Sequence, residues 1–579
     1  MKKVVVAIDF GTSGTTYAFA FADKKENIIT GRWNINQEKN PTEIILDDVY
    51  KIKKFGNECK EYLGDKSSAE NIFYYFKDIK MRLYNNEKEI AADNRDSKQS
   101  LSFVISKILI KIKEEALKAI RARNPVILDS EIEWKVTVPA IWKNESKEIM
   151  RKAAQEAGIF NPNDQSTFFA LEPEAAACDY VVENPSSNAI IPGSTYIVCD
   201  IGGGTVDIST HKRVEENGNI FIEEMYPPIG GNNGSTYINK KFMDEVIMKL
   251  FGKNTVNRLI EKIKDPFSKK DLYSDFCDFL ESVEEFKINI SEEKRDNHEA
   301  KRINCSIFSE FIDKNKNIDD LIEHFNASCN KNWKITKYND EFKIYFPYQI
   351  MIDLTKELIV DKIVKYINKI ISNVPNVNSI IYAGSVSSNH FIISMIKEEL
   401  GYDINHYLCT YPPVAVVKGA VIFGLNPYII KKRISKYTIG IECNEIWDEI
   451  KHGIHPEKKY FDYEDSVYRC RNVFSPIIEK DQKILVDAIN SQHYRIKGSK
   501  TLIKFYKTLY YNITFVDEKC IFSPKCQKFG ELTLDVGNKF DKNNKDLLIQ
   551  LKLGGTFISA DIIYKKEIRK VDFDFSNDN

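Results

Sequence analysis

Asp9 closes an apolar run, VVVAI, and the chain then reads FGTSGTT before Tyr17, Phe19 and Phe21 alternate with alanines. A period of two marks a strand beyond the turn. Residues 4–21 are therefore expected to form a hairpin with Gly11, Thr12, Ser13, Gly14 and Thr15 at its tip. Such a tip offers backbone N–H groups and hydroxyls to an anion. A carboxylate beside it suits a hydrated Mg²⁺, because magnesium gives up its waters reluctantly. Gly, Ser and Thr are also ordinary turn formers, and one such hairpin decides nothing. The chain repeats the arrangement, however. YIVCDIGGGTVDIST sets Asp200 before Gly202, Gly203, Gly204 and Thr205, with Asp207 in the strand that follows. Two tips aimed at one cleft would clamp a polyphosphate from both sides, with the aspartates on a metal between them. The lysine-bearing phosphate loop GxxxxGK[ST] occurs nowhere in the chain.

Further stretches supply elements to position such a site. In VTVPAIWKNESKEIMRKAAQEAGI a strand ends at Pro139, Asn144 reads as a helix N-cap and Gly158 as the helix end. In ALEPEAAACDYV, Pro173 suits the first helical position, with Glu172 extended just before it. IIYAGSVSSNHFI reads as a strand entering the turn Ala383–Gly384–Ser385. ESVEEFKINIS carries Glu284, Lys287 and Ser291, whose charges on their own suit a solvated helix face. FKDIKMRLY places Lys77 and Lys80 on a helical segment, one turn apart.

From Ile429 onward the composition changes. Short runs rich in Ile, Val, Tyr, Phe and Thr, such as YTIGIEC, SPIIEK, TLIKFYKTLYYNITFV and LLIQLKL, alternate with Gly, Asn, Asp and Lys clusters. That pattern predicts an all-β module. Residues 291–343 are charged and rich in Asn, and read as an insertion or surface elaboration.

The chain has 579 residues, too many for one core. Lys plus Arg number 83 against 84 Asp plus Glu, so overall charge gives no case for a nucleic-acid partner. No apolar run approaches the roughly 18 residues of a membrane span, and a cytoplasmic protein is expected. The 11 cysteines include no C-x-x-C, and Cys520 and Cys526 are the closest pair. Reduced thiols are expected, without zinc.

Together, the paired hairpins resemble the phosphate motifs of the actin-like ATPase superfamily. The VPA segment, the Glu172–Pro173 alanine run, the Gly–Gly stretch PPIGGNNGSTYINKKF and the closing helix YPPVAVVKGAVIFGLNP resemble the seventy-kilodalton heat-shock (DnaK-type) chaperones. FKDIKMRLY is similar to the atypical heat-shock A, member-twelve-like branch. The likeness covers Met1 to Pro427 by motif.

The resemblance implies an α/β fold of two related, ribonuclease H-like lobes around a nucleotide cleft. These are lobe I at about 1–195 and lobe II at about 196–427. A linker at 428–436 and a β-rich, sandwich-like domain at 437–579, without a helical lid, would follow. The implied cofactors are ATP or ADP with Mg²⁺, bound through water by Asp9, Glu172 and Asp200. Gly11, Thr12 and Ser13 would take one side of the phosphates. Gly202, Gly203, Gly204 and Thr205 would take the other. Lys80 would orient the attacking water, with Lys77 as competitor and Asp207 nearby. Gly230 and Gly231 would lie at the base of lobe II, and Glu284, Lys287, Ser291, Gly384 and Ser385 at the adenosine.

Three positions depart from the family. Ala383 replaces a glycine, Ser387 stands where an arginine packs on the base, and Lys147 replaces an arginine that reads the linker. The linker IIKKRISK is basic where the family's is acidic and leucine-rich. An ATP-hydrolysing chaperone with a protein or peptide client, and a possible co-chaperone or exchange factor, is the leading expectation. A nucleotide-binding switch or scaffold with little turnover is the second. A small-molecule kinase and a filament former are remote alternatives.

Overall fold

Apolar residues on both faces explain why VVVAIDF reads as a continuous run. β1 (Val4–Phe10) is buried along its whole length and pairs antiparallel with β2 (Thr15–Phe21), from Val4 opposite Phe21 to Phe10 opposite Thr15. On its other side β1 pairs in parallel with β3 (Ile132–Val138). A parallel pair needs a long connection, and the chain between β2 and β3 carries the 21-residue helix Leu101–Arg121 and the short helix α1 (Ile79–Tyr84). The computed structural model describes residues 2–33, 37–64, 73–95, 97–160, 168–264, 270–313, 316–329, 331, 333–337, 342–401, 404–453, 455–486, 488–509, 526–541, 543–552, 559–565 and 567–572. It shows a mixed α/β protein with several sheets.

Helix α2 (Asn144–Glu156) starts one residue earlier than expected. Lys143 is the extended cap residue (φ −70°, ψ 163°), so Asn144 is the first helical residue and not the N-cap. Gly158 ends it in the left-handed region at φ +66°, donating to the Gln155 carbonyl at 3.0 Å. Helix α3 (Glu172–Glu183) likewise begins at Glu172, with Leu171 extended before it. The proline tolerates this because its missing N–H falls in the unbonded first turn.

The second glycine turn follows β4 (Thr195–Ile201) and leads into β5 (Val206–Glu216) and β6 (Asn219–Gly231). β7 (Val377–Ala383) runs parallel to β4 and sets Ala383 opposite Asp200. Helix α4 (Lys270–Ile288) precedes β7, and α5 (His390–Leu400) and α6 (Pro412–Leu425) follow it. α6 packs so tightly on α3 that a Cβ at Gly419 would stand 1.7 Å from the Ala175 carbonyl oxygen.

Residues 291–343 are more ordered than the expected surface elaboration. Their described part includes the helix Ile318–Ser328 and strands Ala300–Asn304 and Thr336–Lys337, which flank Lys343–Pro347 in a small antiparallel sheet. Phe308, Phe325, Trp333 and Ile335 are buried, and Phe308 stacks on Phe251, so this charged stretch packs onto the neighbouring helices.

The chain divides into two compact units. The first comprises 1–161, 170–210 and 228–426, and the second comprises 162–169, 211–227 and 427–579. In the second unit one sheet runs in the order Lys459–Asp462, Val467–Ile478, Thr438–Ile446, Lys500–Thr508, Gln527–Asp535. Another runs Ile489–Arg495, Asp546–Lys552, Ser559–Tyr564, Glu567–Asp572. Ile441, Ile503 and Phe505 of the one share a core with Leu547, Ile549 and Ile562 of the other.

The residues read as a linker form a strand, Ile430–Ile434. It pairs Ile430 with Ile222 and, on its other side, Arg433 with Ile484. Lys432 meets Glu223 at 2.8 Å, Lys431 pairs with Glu216, and Glu224 accepts from the Ile434 N–H at 2.6 Å. The described cysteines are free thiols, and Cys520 lies outside the described residues. No helix among the described residues is long and apolar enough to cross a membrane.

Candidate functional site

The first glycine tip is braced from behind. Thr42 donates to the Gly11 carbonyl at 2.7 Å and shares a 2.8 Å contact with the Thr15 hydroxyl. Thr15 and Asn40 exchange two backbone hydrogen bonds at 2.7 and 2.9 Å. A Cβ at Gly11 would meet the Gly14 carbonyl oxygen at 2.2 Å, so the turn closes only with glycine there.

The second tip closes with the Gly202 N–H donating to the Thr205 carbonyl at 2.9 Å. Its outward carbonyls are held by the chain ahead of the helix Thr236–Phe242. Gly234 N–H donates to Gly204, Ser235 to Gly202 and Thr236 to Gly203, at 3.1, 3.3 and 2.8 Å. The two tips touch. A Cβ at Gly203 would lie 2.7 Å from Ser13 Oγ, and one at Gly204 would lie 2.2 Å from Thr12 Oγ1 and 2.4 Å from Met81 Sδ.

Four acids and two lysines gather at the strand ends. Lys80 Nζ lies 2.6 Å from Glu172 Oε1 and 5.8 Å from the Trp142 ring centroid. Asp9 accepts from Lys39 Nζ at 2.7 Å and from Thr137 Oγ1 at 3.0 Å. The Ile141 N–H reaches Asp207 Oδ1 at 3.2 Å, while Asp207 Oδ2 is buried without a hydrogen-bond partner. Asp200 is backed by Gly384, where a Cβ would stand 2.3 Å from Asp200 Oδ1; φ of +84° there is itself a glycine conformation.

The electrostatics follow from this crowding. Burial pushes the Asp9 carboxyl up, but Lys39 and Lys80 outweigh it and hold it below its ordinary value. At Asp200 burial, with Asp207 and Asp9, outweighs the pull of the same two lysines and pushes the carboxyl up to about 7. Glu172 rises to about 8 through burial and the other acids, against the pull of Lys80. Burial raises Asp207 as well. Burial disfavours the Lys80 ammonium, yet Glu172 and Asp9 hold its pKa above the usual lysine value. Fully ionised, the four acids would outweigh the two lysines, so they hold protons unless another cation takes their place.

Next to the tips lies a cavity of about 710 Å³. Ser13 lines it, with Glu284, Lys287, Ser291 and Ser385, as the sequence suggested, and with Phe391 and Ile288 as apolar walls. Four residues are spent locally or lie elsewhere. Ser291 Oγ caps the short helix Glu292–Asp296 by accepting from the Lys294 N–H at 3.3 Å. Gly230 lies against the Val206 backbone and Gly231 against Asn233 and Tyr366, and neither lines the cavity. Ser387, at the arginine position, is fully buried and donates to the Ala383 carbonyl at 2.6 Å, so it offers nothing to a base.

Lys77 stands apart from Lys80. Burial disfavours its charge, but Asp93 and Asp78 raise its pKa, and its N–H donates to Asp93 at 3.1 Å. Four neighbours of the site were not foreseen: Lys39, Thr137, Trp142 and Asn389. Asn389 donates to the Ile288 and Ile290 carbonyls at 3.3 and 3.1 Å and so ties α5 to the end of α4. Thr137 and Trp142 flank Pro139 and were within reach of the strand-to-helix reading. Lys39 and Asn389 carry no periodic signal.

No protein-family model matches the chain. It is 26% identical to mouse heat shock 70 kDa protein 12A, over 99% of this chain and 92% of that protein. It is 23% identical to human heat shock 70 kDa protein 12B, over 92% of this chain and 84% of that one. A shorter likeness, 23% over 47% of this chain and 43% of the relative, is to the chaperone protein HscA homolog of Rickettsia typhi. End to end, the chain is similar to the atypical, twelve-type heat-shock 70 kDa proteins.

Proposed function

We propose that the first unit binds ATP with Mg²⁺ between the two glycine tips and hydrolyses it. In this reading it is an actin-like nucleotide-binding domain of two lobes spanning 1–427, followed by the region 428–436 and a β-rich partner module at 437–579. One observation carries it: two touching glycine tips adjoin four buried carboxylates, which outnumber the lysines beside them, and open beside a cavity large enough for a nucleoside.

The bound Mg–ATP would supply the divalent charge and the scissile phosphoanhydride. Asp9, Glu172 and Asp200 would hold the cation through its waters. Outer-shell binding suits magnesium, which gives up its waters reluctantly. Gly11, Thr12 and Ser13 would present donors to one side of the phosphates, and Gly202 to Thr205 to the other. Lys80, buried and positively charged, would stabilise charge on the transferring phosphoryl group and orient the water. Asp207, with one unpartnered oxygen, would accept a hydrogen bond from that water. Glu284, Lys287 and Ser385 would line the adenosine side.

The names of the relatives suggest a chaperone-like role with a protein or peptide client. The second unit has a cavity of about 780 Å³ for it, lined in part by Glu442, Arg469, Arg495, Lys497 and Asp546. Ile496, Leu502 and Ile549 line it as well, so its walls are charged and apolar together.

A binding switch with little turnover is the second reading. It is favoured by Ser387, which stands where a base-packing guanidinium is expected and is itself buried. Calorimetry with ADP and Mg²⁺ tests the site directly. Wild type should bind, and Val386→Trp, which fills the cavity, should lose about tenfold or more in affinity. Absence of ADP and ATP binding by wild type would overturn the proposal.

A further inference from the structure

The cluster contains a second ammonium that the phosphate-binding tips do not themselves supply. Lys39 Nζ lies 2.7 Å from Asp9 Oδ2, and its side chain is 24% exposed against 5% for Asp9, so it stands at the rim of the buried acids. Its backbone is fixed. Thr16 Oγ1 donates to the Glu38 carbonyl at 2.5 Å, Asn40 exchanges backbone bonds with Thr15, and the buried Asn40 side chain accepts from the Asn57 N–H at 3.0 Å. The Lys39 stem also abuts the tip: a Cβ at Gly14 would be 3.1 Å from Lys39 Cβ. The segment is thus built to deliver an ammonium beside both the metal-side carboxylate and the first glycine tip. An ammonium has three donors, and Asp9 is the hydrogen-bond partner that the structure gives this one.

Resting on the ATP-binding reading, we infer that Lys39 is a phosphate-binding residue that holds the nucleotide's phosphate chain from the first-tip side, opposite the second tip. A divalent cation drawn to Asp9 neutralises the same phosphate oxygens and so shares the lysine's role. Without the cation, Lys39 is the positive charge at this edge. Its contribution to phosphate binding is therefore greatest when no divalent ion is present.

The test is calorimetry with ADP and with adenosine, in Mg²⁺ and in EDTA, on wild type, Lys39→Met and Lys39→Arg. Lys39→Met should lose about tenfold or more of its ADP affinity in EDTA, the scale of one charge-assisted hydrogen bond. The loss in Mg²⁺ should be smaller, adenosine should bind as to wild type, and Lys39→Arg should recover most of the ADP affinity. A change under about twofold for ADP in EDTA, or a parallel fall for adenosine, would overturn the role of Lys39. Wild type that binds no nucleotide would overturn the ATP reading as well.

Discussion

Lys80 Nζ and Glu172 Oε1 lie 2.6 Å apart, and both side chains are only 5% exposed. The pair joins α1 to the start of α3 across 92 residues of chain. A buried ion pair is weak support for stability in itself. Its value here is position, since Lys80 also feels Asp9 and Asp207. Lys80→Met should slow single-turnover hydrolysis of ATP by roughly a hundredfold, the scale of one lost charge-stabilising donor. ADP affinity should stay within about threefold, because no ADP-side group is removed. Equal hydrolysis rates in variant and wild type would reject Lys80 as the catalytic lysine.

The packing around the second tip predicts a graded response to added methyl groups. At Gly234 a Cβ would lie 2.4 Å from backbone atoms of Gly203 and Gly204, which cannot give way cheaply. At Gly202 the nearest atom would be the Thr205 carbonyl oxygen at 3.2 Å. Gly234→Ala should therefore lower ADP affinity by about tenfold or more, and Gly202→Ala by much less, both read by calorimetry.

The α3–α6 crossing predicts a stability effect that reaches the site through Glu172. Gly419→Ala forces a methyl to 1.7 Å from the Ala175 carbonyl oxygen. Overpacking against backbone should cost about 1–3 kcal/mol or more in a denaturant melt. Gly424→Ala meets side-chain atoms instead, with Val5 Cγ1 nearest at 2.5 Å. It should cost less.

Asp179 on α3 predicts a pH dependence. Burial pushes its carboxyl up to about 7, against the pull of Lys418 at 3.5 Å. The folded state then holds a proton that the unfolded state releases near the ordinary carboxyl value of 3.8. Stability from this group is therefore full below that value and falls as pH rises toward about 7. Asp179→Asn should gain relative to wild type between pH 5 and pH 8, by as much as roughly 2–3 kcal/mol. A stability difference that does not change with pH would contradict the shift.

The hairpins were legible because Tyr17, Phe19 and Phe21 impose a period of two and glycine marks the turn. The start of α3 was legible to within one residue from Glu172–Pro173. Lys39 was not, because its approach to Asp9 depends on Asn40 and Thr42 bonding the tip, which no periodicity encodes. Ser387 was read as a base-facing position, whereas the turn after Gly384 points its hydroxyl back to Ala383. The linker's identity as a strand was hidden by its lysines, whose acidic partners Glu216 and Glu223 lie far back in sequence. The strand Ile489–Arg495 was missed because its residues are largely polar and it forms the edge of its sheet.

The central claim is that the carboxylates and glycine tips exist to cleave Mg–ATP. Single-turnover hydrolysis of radiolabelled ATP, on wild type and Asp200→Asn, tests it most directly. The account predicts slow cleavage by wild type, and ATP bound but uncleaved by the variant. ATP retained uncleaved by wild type, or cleaved equally by both proteins, would contradict it.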